Sequence, residues 1–296
     1  MRFIPWLWRL VSNFGFIIRE GHSHGRLPML RAYAKIELKR FFLAGVLRRK
    51  INKESLFGYQ IHFFDYHTFA TLFEELYVAD VYYFSTFSQE PLVIDCGSNI
   101  GLAILYFKRI HPKCRVIGFE PDKATFGMLE RNVRTNRLAN VTLVNKALHA
   151  AEGSVPFYFQ TDHPGLLVQS TRKESVPRAE VTSVETTMLS SYVNQPVDFL
   201  KMDIEGAEEQ VLRDLSETGK LPLVREMVLE YHHHITPEED NLGVFLKLLE
   251  KGKFGYQLKA PLAAPFHRGE FQAFLLYGYS LDGASSASRP LSSLAA

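Results

Sequence analysis

Pro91-Leu-Val-Ile-Asp-Cys-Gly-Ser-Asn-Ile-Gly101 is the stretch whose reading decides the fold. Leu92-Val93-Ile94 is a short apolar run rich in β-branched side chains, and it closes on an acid, Asp95. Gly97 and Gly101 then bracket a turn. From Ile100 through Leu102, Ala103, Leu105 and Tyr106 the apolar residues recur with helical period. Strand, glycine turn and helix in that order predict the opening unit of an α/β sheet that holds a nucleotide-like ligand at its carboxyl edge. Glycine suits the turn because the backbone must reverse sharply and a ligand must approach it without meeting a Cβ.

The spacing then narrows the ligand. A dinucleotide fingerprint needs glycine where Asn99 stands, which disfavours an NAD-dependent oxidoreductase. Asp95-x-Gly97-x-x-x-Gly101 is instead similar to the acid-glycine-glycine pattern of methyltransferases that use S-adenosylmethionine. A carboxylate at the strand's end suits a ligand carrying an amino group and a sulfonium, whereas a pyrophosphate prefers bare N–H groups. Arg115-Val-Ile-Gly-Phe-Glu120 reads as the second strand, and Glu120 lies 19 residues beyond Gly101. That is the separation at which a βαβ unit presents a carboxylate to ribose hydroxyls.

At 296 residues the chain can bury a large core, as one α/β domain or a domain with an appendage. Its two cysteines, Cys96 and Cys114, fall at strand ends and make no disulfide framework; both read as reduced and structural, which fits a cytoplasmic setting. No Cys/His set has zinc spacing, and in His232-His233-His234 consecutive strand residues point oppositely, so no metal is expected. The net charge of +2 conceals an asymmetry. Residues 1–50 hold eleven Lys or Arg against Glu20 and Glu37, a net of +9, which leaves the remainder at −7.

That basic arm, residues 1–54, reads as helical. Ile4, Leu7, Leu10, Val11, Phe14, Ile17 and Ile18 recur at three- and four-residue steps, punctuated by Arg2, Arg9 and Arg19. Arg9 and Arg19 leave too short an apolar run for a membrane span. The pattern predicts a helix packed on the following domain, with peripheral contact to an anionic membrane as the second reading. A second basic helix is expected from Arg31 to Lys50, then a strand or hairpin around Phe57-Gly58, then a helix from Phe69 to Val81.

Beyond the glycine turn, Asp122 is placed to cap a helix carrying Phe126, Leu129 and Val133. Asn140–Asn145 is a third strand whose following backbone, Lys146-Ala147, would lie beside an adenine ring. Strands are expected at Val155–Gln160 and Val181–Thr187, separated by a polar loop over the site's mouth at 161–178. Val197-Asp-Phe-Leu-Lys-Met-Asp-Ile204 is the fourth strand of the central sheet, with a helix opening at Glu205-Gly206-Ala207. Lys201, Asp203 and Glu205 alternate and are expected to converge on the crevice beside the first strand. Glu226–His232 is the next strand, with Glu230 and His232 on one face; Glu205, Glu208 and Glu209 stand where a helix's first turn favours acids, and for Glu209 that is the preferred reading. A closing pair of strands comes after it, and the Ser/Ala-rich tail 281–296 reads as disordered.

Asp95-Cys-Gly-Ser-Asn-Ile-Gly101, Phe119-Glu120-Pro121 and, above all, Asp198-Phe-Leu-Lys-Met-Asp-Ile-Glu-Gly-Ala-Glu208 resemble the FkbM-type methyltransferases. The resemblance covers residues 55 to 280 and leaves the arm outside. It implies a Rossmann-like class I methyltransferase fold: a mostly parallel seven-stranded sheet, its last strand antiparallel, with helices on both faces. It also implies S-adenosylmethionine-dependent O-methylation of hydroxyls on sugars, glycans or other natural-product scaffolds. The expected cofactor residues are Asp95, Gly97, Ser98, Asn99, Gly101, Glu120, Pro121, Lys146, Ala147 and Asp203. Taking a proton from an alcohol needs a base, and Asp203, Glu205 and His232 stand at the correct edge; His232 has a suitable ordinary pKa. Nucleic acid is disfavoured as acceptor, because the body is acidic and lacks an Asn/Asp-Pro-Pro-aromatic base-flipping motif. A non-catalytic binding module of the same fold is the other reading, which the polar groups in the crevice argue against.

Overall fold

The computed structural model describes residues 3–19, 24–47, 49–159, 180–233, 242–260 and 272–282. Helices α1 (Phe3–Arg19) and α2 (Arg26–Lys39) come first, the second continuing as a wider winding through Arg40–Val46. Strands β1 (Lys53–Leu56) and β2 (Tyr59–His62) pair as a hairpin whose tip, Phe57-Gly58, has positive φ at both residues, as a tight primed turn requires. Helix α3 (Tyr66–Phe73) runs on through Glu74–Val78. Then β3 (Leu92–Cys96), α4 (Leu102–Ile110), β4 (Arg115–Phe119), α5 (Lys123–Thr135) and β5 (Val141–Val144) come in strict alternation. Strands β6 (Ala147–Leu148), β7 (Gly153–Phe159) and β8 (Glu180–Thr187) precede β9 (Val197–Met202), α6 (Glu208–Glu217), β10 (Val224–His233), α7 (Leu242–Lys251), β11 (Phe254–Lys259) and β12 (Gln272–Ser280).

Seven strands form the central sheet, in the order β11-β12-β10-β9-β3-β4-β5. Strand β12 is antiparallel to both of its neighbours, and the pairs β10/β9, β9/β3, β3/β4 and β4/β5 are parallel. The expected fold class is therefore the observed one. From β3 the chain winds outward to β4 and β5, then returns on the other side to lay down β9 and β10. The junction of β3 and β9 is thus the sheet's topological switch point, where such folds open a crevice. The strands expected at 155–160 and 181–187 do not join this sheet; they make a small separate one, β6-β8-β7.

Every residue of β3 and β9 is buried, as expected of central parallel strands covered on both faces. Alternate side chains feed two cores. Val93 and Phe199 pack with Phe107, Phe69 and Tyr77, and that cluster runs on without a break into Ile17, Tyr33 and Ile36 of the arm. Leu92, Ile94 and Leu200 face the other way, onto Val211, Leu212 and Phe245 of α6 and α7. Cys96 and Cys114 are buried free thiols. Of the polar residues in these strands, Asp198 is satisfied by the Leu92 amide at 2.9 Å, the Thr86 hydroxyl at 2.9 Å and Arg225 at 2.8 Å. Asp122 caps α5 as expected, accepting from the Thr125 amide at 2.7 Å.

Several sequence boundaries move. The basic helix begins at Arg26 rather than Arg31, because Pro28 stands in its first turn, where the missing N–H costs no helical hydrogen bond. The strand expected to run to Ile204 stops at Met202, and the helix expected at Glu205 starts at Glu208. The polar loop at 161–178, His234 and the tail from 283 onward lie outside the described residues.

The β1–β2 hairpin is tied to the sheet through α5. Buried Asn132 donates to the carbonyls of His62 at 2.9 Å and Ile100 at 2.8 Å, and accepts from the His62 amide at 2.7 Å. Asn132→Ala strands those backbone groups without partners and is expected to cost about 2–3 kcal/mol, read from the urea midpoint at unchanged slope. Asn136→Ala, whose amide serves the exposed Gln60 backbone, is expected to cost less than about 1 kcal/mol.

Candidate active site

The carboxyl ends of β3, β4 and β9 open into one cavity with an empty volume of about 1250 Å³, part of it open to solvent. Gly97, Ser98 and Asn99 of the turn, Glu120 and Pro121 after β4, and Lys146 and Ala147 after β5 all line it, as expected from the sequence. Asp203 and Glu205 line it as well. The small sheet contributes Leu148 and Phe157 to the wall.

The turn owes its shape to close backbone contact. Gly97 has φ +86, and a Cβ there would lie 1.9 Å from the Asp203 carbonyl oxygen. The Asp203 amide donates to the Cys96 carbonyl at 3.1 Å, so the chain ends leaving β3 and β9 are bonded beyond the last ladder pair. Gly101, at φ +87, lies on Leu129, which a Cβ would meet at 2.6 Å. It therefore seats α4 on α5 and is not a cavity residue.

Glu120 is held by two backbone donors, the Asn99 amide at 3.0 Å and the Asp122 amide at 2.9 Å. Burial nevertheless pushes its carboxyl up to about 8, against those two hydrogen bonds. It is a carboxylate fixed in orientation, at the end of the second strand, where ribose hydroxyls would meet it.

Asp95 is fully buried and does not line the cavity. Among the described residues its carboxylate has no hydrogen-bond partner, and its counter-charge is the Lys201 ammonium at 3.4 Å. Lys201 donates to the Cys96 and Gly97 carbonyls at 3.2 and 2.5 Å, and lies 3.8 Å from Asp203. Burial raises the Asp95 carboxyl above the usual range while Lys201 opposes it; burial would lower Lys201, but Asp95 and Asp203 outweigh it and raise it. Asp95 thus reaches the ligand space through Lys201 rather than directly, which corrects its expected role as a contact residue.

Asp203 and Glu205 converge with Lys201, though not by strand alternation. The chain leaves the strand at Met202, and Glu205 adopts φ 55 followed by Gly206 at φ 105. A non-glycine residue held in the left-handed region is strained, and such strain persists where surrounding contacts impose it. Here they come from Glu208, which is 1% exposed and accepts from the amides of Gly206 at 3.0 Å and Ile204 at 3.3 Å. The same carboxylate holds the His232 Nδ1 at 2.9 Å, while Nε2 lies 3.3 Å from Glu205. The sequence shows Glu208 as an acid in a helix's first turn; its burial depends on His232 arriving from β10, which no local pattern announces.

His232 itself is buried behind the wall and does not line the cavity. Burial alone would lower its pKa, but Glu208 and Glu205 together push it up to about 10. Burial pushes Glu205 up to about 8, with His232 pulling the other way. Three further cavity residues are absent from the set the sequence suggests. Glu75 is pushed up to about 7 by burial and by Glu230 and Asp203; Glu230 is raised by burial and Asp203; buried Tyr82 lies with its ring 5.9 Å from the Lys201 ammonium. Glu75 and Tyr82 come from segments preceding the glycine turn, so only folding places them here. Asp203, Glu205 and His232 each present one donor atom within 4.8 Å of the others, a spacing that a divalent cation could bridge.

A Rossmann-like sheet with a glycine turn, a buried acid at the end of its second strand and an acidic cluster at its switch point is the arrangement of a class I S-adenosylmethionine-dependent methyltransferase. The chain belongs to the methyltransferase FkbM domain family, whose match covers residues 95–258. It is 27% identical over 190 residues to methyltransferase sdnD of Sordaria araneosa, covering 54% of this chain and 73% of that one. It is 26% identical over 212 residues to methyltransferase 1 of Beauveria bassiana, covering 65% and 83%. Among solved structures, M. jannaschii TYW2 in complex with AdoMet aligns at a TM-score of 0.41 and 13% identity, over 77% of this chain and 86% of that one.

The residues present fit the cofactor. Glu120 suits the ribose, the turn residues Gly97, Ser98 and Asn99 line the cavity beside it, and the excess of carboxylates around Lys201 suits a cationic sulfonium. Because Glu75, Glu120 and Glu205 are held partly protonated near neutral pH, a cationic ligand lowers their pKa values as it binds. Calorimetry in buffers of differing ionisation enthalpy at pH 7 is expected to show net proton release, and affinity is expected to rise from pH 6 to pH 8.5. Separately, Lys201→Met leaves Asp95 buried without a counter-charge and is expected to cost about 3–5 kcal/mol. Adding Asp95→Asn to it should restore much of that loss in thermal unfolding.

Proposed function

We propose that the enzyme methylates a neutral hydroxyl, of a sugar, glycan or other hydroxylated natural product, and that Glu205 or Asp203 takes the hydroxyl proton. The observation that carries this reading is the ring of carboxylates at one end of the cavity. Glu75, Asp203, Glu205 and Glu230 line it together, with Lys201 as their cationic neighbour in the wall. Carboxylates accept hydrogen bonds from hydroxyls and repel phosphates and acids, so the ring suits a polyol and opposes nucleic acid. Leu72, Leu76 and Tyr82 on the same wall supply an apolar surface for a ring face.

S-adenosylmethionine, when bound, supplies a methyl carbon already activated by its sulfonium. What remains for the chain is alignment and proton removal. Asp203 is fixed through its backbone to Cys96 and faces Lys201, which places it to orient the acceptor or the cofactor. Glu205, pushed up to about 8, is matched in pKa to a base working near neutrality. His232 is reassigned. Held up to about 10 between Glu208 and Glu205, its ring keeps both protons at neutral pH and has no lone pair for another. It acts as a positioning cation that aims Glu205.

A base works only when ionised, so turnover is expected to rise with pH through about 8 and then level off. Glu205→Gln or Asp203→Asn, whichever removes the base, should lower kcat by about 10²–10⁴-fold at saturating cofactor. If Glu205 is the base, the alkaline rise vanishes in Glu205→Gln. The assay offers methyl-labelled cofactor with a panel of glycosides, free polyols and amines. Methylation of amines alone would overturn the hydroxyl reading, and full activity in both variants would overturn the base.

A further inference from the structure

The two N-terminal helices present faces opposite to those of an ordinary surface helix. On α1, Leu7, Trp8, Val11 and Ile18 are 42%, 75%, 61% and 58% exposed and lie toward one side of the helix. Ser12 and Arg19 are exposed too, but two polar residues turn inward. Arg9 pairs with Glu37 and Glu74, and Asn13 donates to the Tyr33 hydroxyl. On α2 and its continuation the exposed row is Leu27, Arg31, Lys35, Leu38 and Phe42, apolar and basic by turns. No acid is exposed among the described residues 3–47: Glu37 is the acid there, and it is 0% exposed between Arg9 and Arg40. Glu54, also buried, is shared by Lys35 and Lys39, so the cations exceed their partners.

A helix that packs one face on a core and turns its other face to water carries polar residues outward. This arm keeps large apolar side chains, one of them tryptophan, in a contiguous exposed row beside basic ones. We propose that this face docks on the surface of an anionic lipid bilayer. Charge selects the occupant, since a surface whose described residues offer apolar anchors and positive exposed charge complements anionic headgroups. Trp8 matches the headgroup depth, where an amphipathic ring is accommodated. No helix among the described residues is long and apolar enough to cross a membrane, so the attachment is in the plane of the interface and reversible. Through Arg9 and Arg40 the docked arm is paired to Glu74, the neighbour of cavity residue Glu75, which joins the lipid-facing arm to the acceptor end of the site.

Flotation of the full chain with extruded vesicles tests this, comparing phosphatidylcholine alone with phosphatidylcholine containing a quarter phosphatidylglycerol. Wild type is expected to float with the anionic vesicles only, with a blue shift in tryptophan emission, and to dissociate as salt rises. Trp8→Ser/Val11→Ser should abolish flotation, and Arg26→Glu/Arg31→Glu should weaken it at least tenfold. Cofactor binding measured on each variant, unchanged because these residues are exposed and remote from the cavity, shows that the fold is intact. Absence of flotation in wild type, equal binding to neutral vesicles, or variants that float like wild type would each overturn the proposal. So would light scattering that finds a wild-type dimer and a Trp8→Ser/Val11→Ser monomer, with no vesicle binding by either, since the face then belongs to a second copy of the chain.

Discussion

Lys201 is a cation placed where the sheet can least easily accept one, on a central strand with both faces covered. It is tolerated because Asp95, one strand away in register, stands 3.4 Å from it, and because two carbonyls of the glycine turn take its remaining protons. A buried ion pair of this kind adds little net stability beyond an apolar pair of similar volume, but leaving either half alone is severe. Its effect is positional. The pair fixes the end of β3 against the end of β9 at the switch point, and so sets the spacing of the turn that must pass within contact of Asp203. The cavity begins at that seam.

From the seam outward, charge is arranged by burial more than by proximity. Glu75, Glu120 and Glu205 are pushed up to about 7, 8 and 8 by desolvation, so the free protein keeps protons on groups that an exposed surface would leave ionised; Glu230 is raised by burial too. A cavity in that condition is poised for a cation. His232 and Glu208 form the counterpart, a buried imidazolium and carboxylate that hold the strained loop at Glu205 open toward the ligand. The strain is imposed from behind the wall, and the reactive face is left clear.

The arm belongs to the same core as the sheet on one side and to an outer surface of a different character on the other. Ile17, Tyr33 and Ile36 pack into the cluster that contains Val93 and Phe199, so the arm is part of the packing that supports β3 and β9. Among its described residues Glu37 is turned in, while Leu7, Trp8, Val11 and Ile18 are turned out.

Local chemistry alone determined the parallel α/β architecture, the glycine turn, the two acids at strand ends and the Lys-Met-Asp-Ile-Glu run. Each is written in residues within a few positions of one another, where period, backbone freedom and strand-end placement act directly. Tertiary structure decided the rest. Asp95 and Lys201 are far apart in the chain, and only the β3–β9 register reveals that the acid faces the lysine and not the ligand. Glu75 and Tyr82 reach the cavity by packing of the segment before the sheet, and Glu208 becomes a buried partner only when β10 delivers His232. The sequence reads α1 as a helix with an apolar stripe, but that Leu7, Trp8, Val11 and Ile18 stay outside while Arg9 turns to Glu37 and Glu74 is decided by tertiary contacts. Pairings of this kind rest on long-range contacts and on the dielectric they create, and neither is encoded in any single stretch of chain.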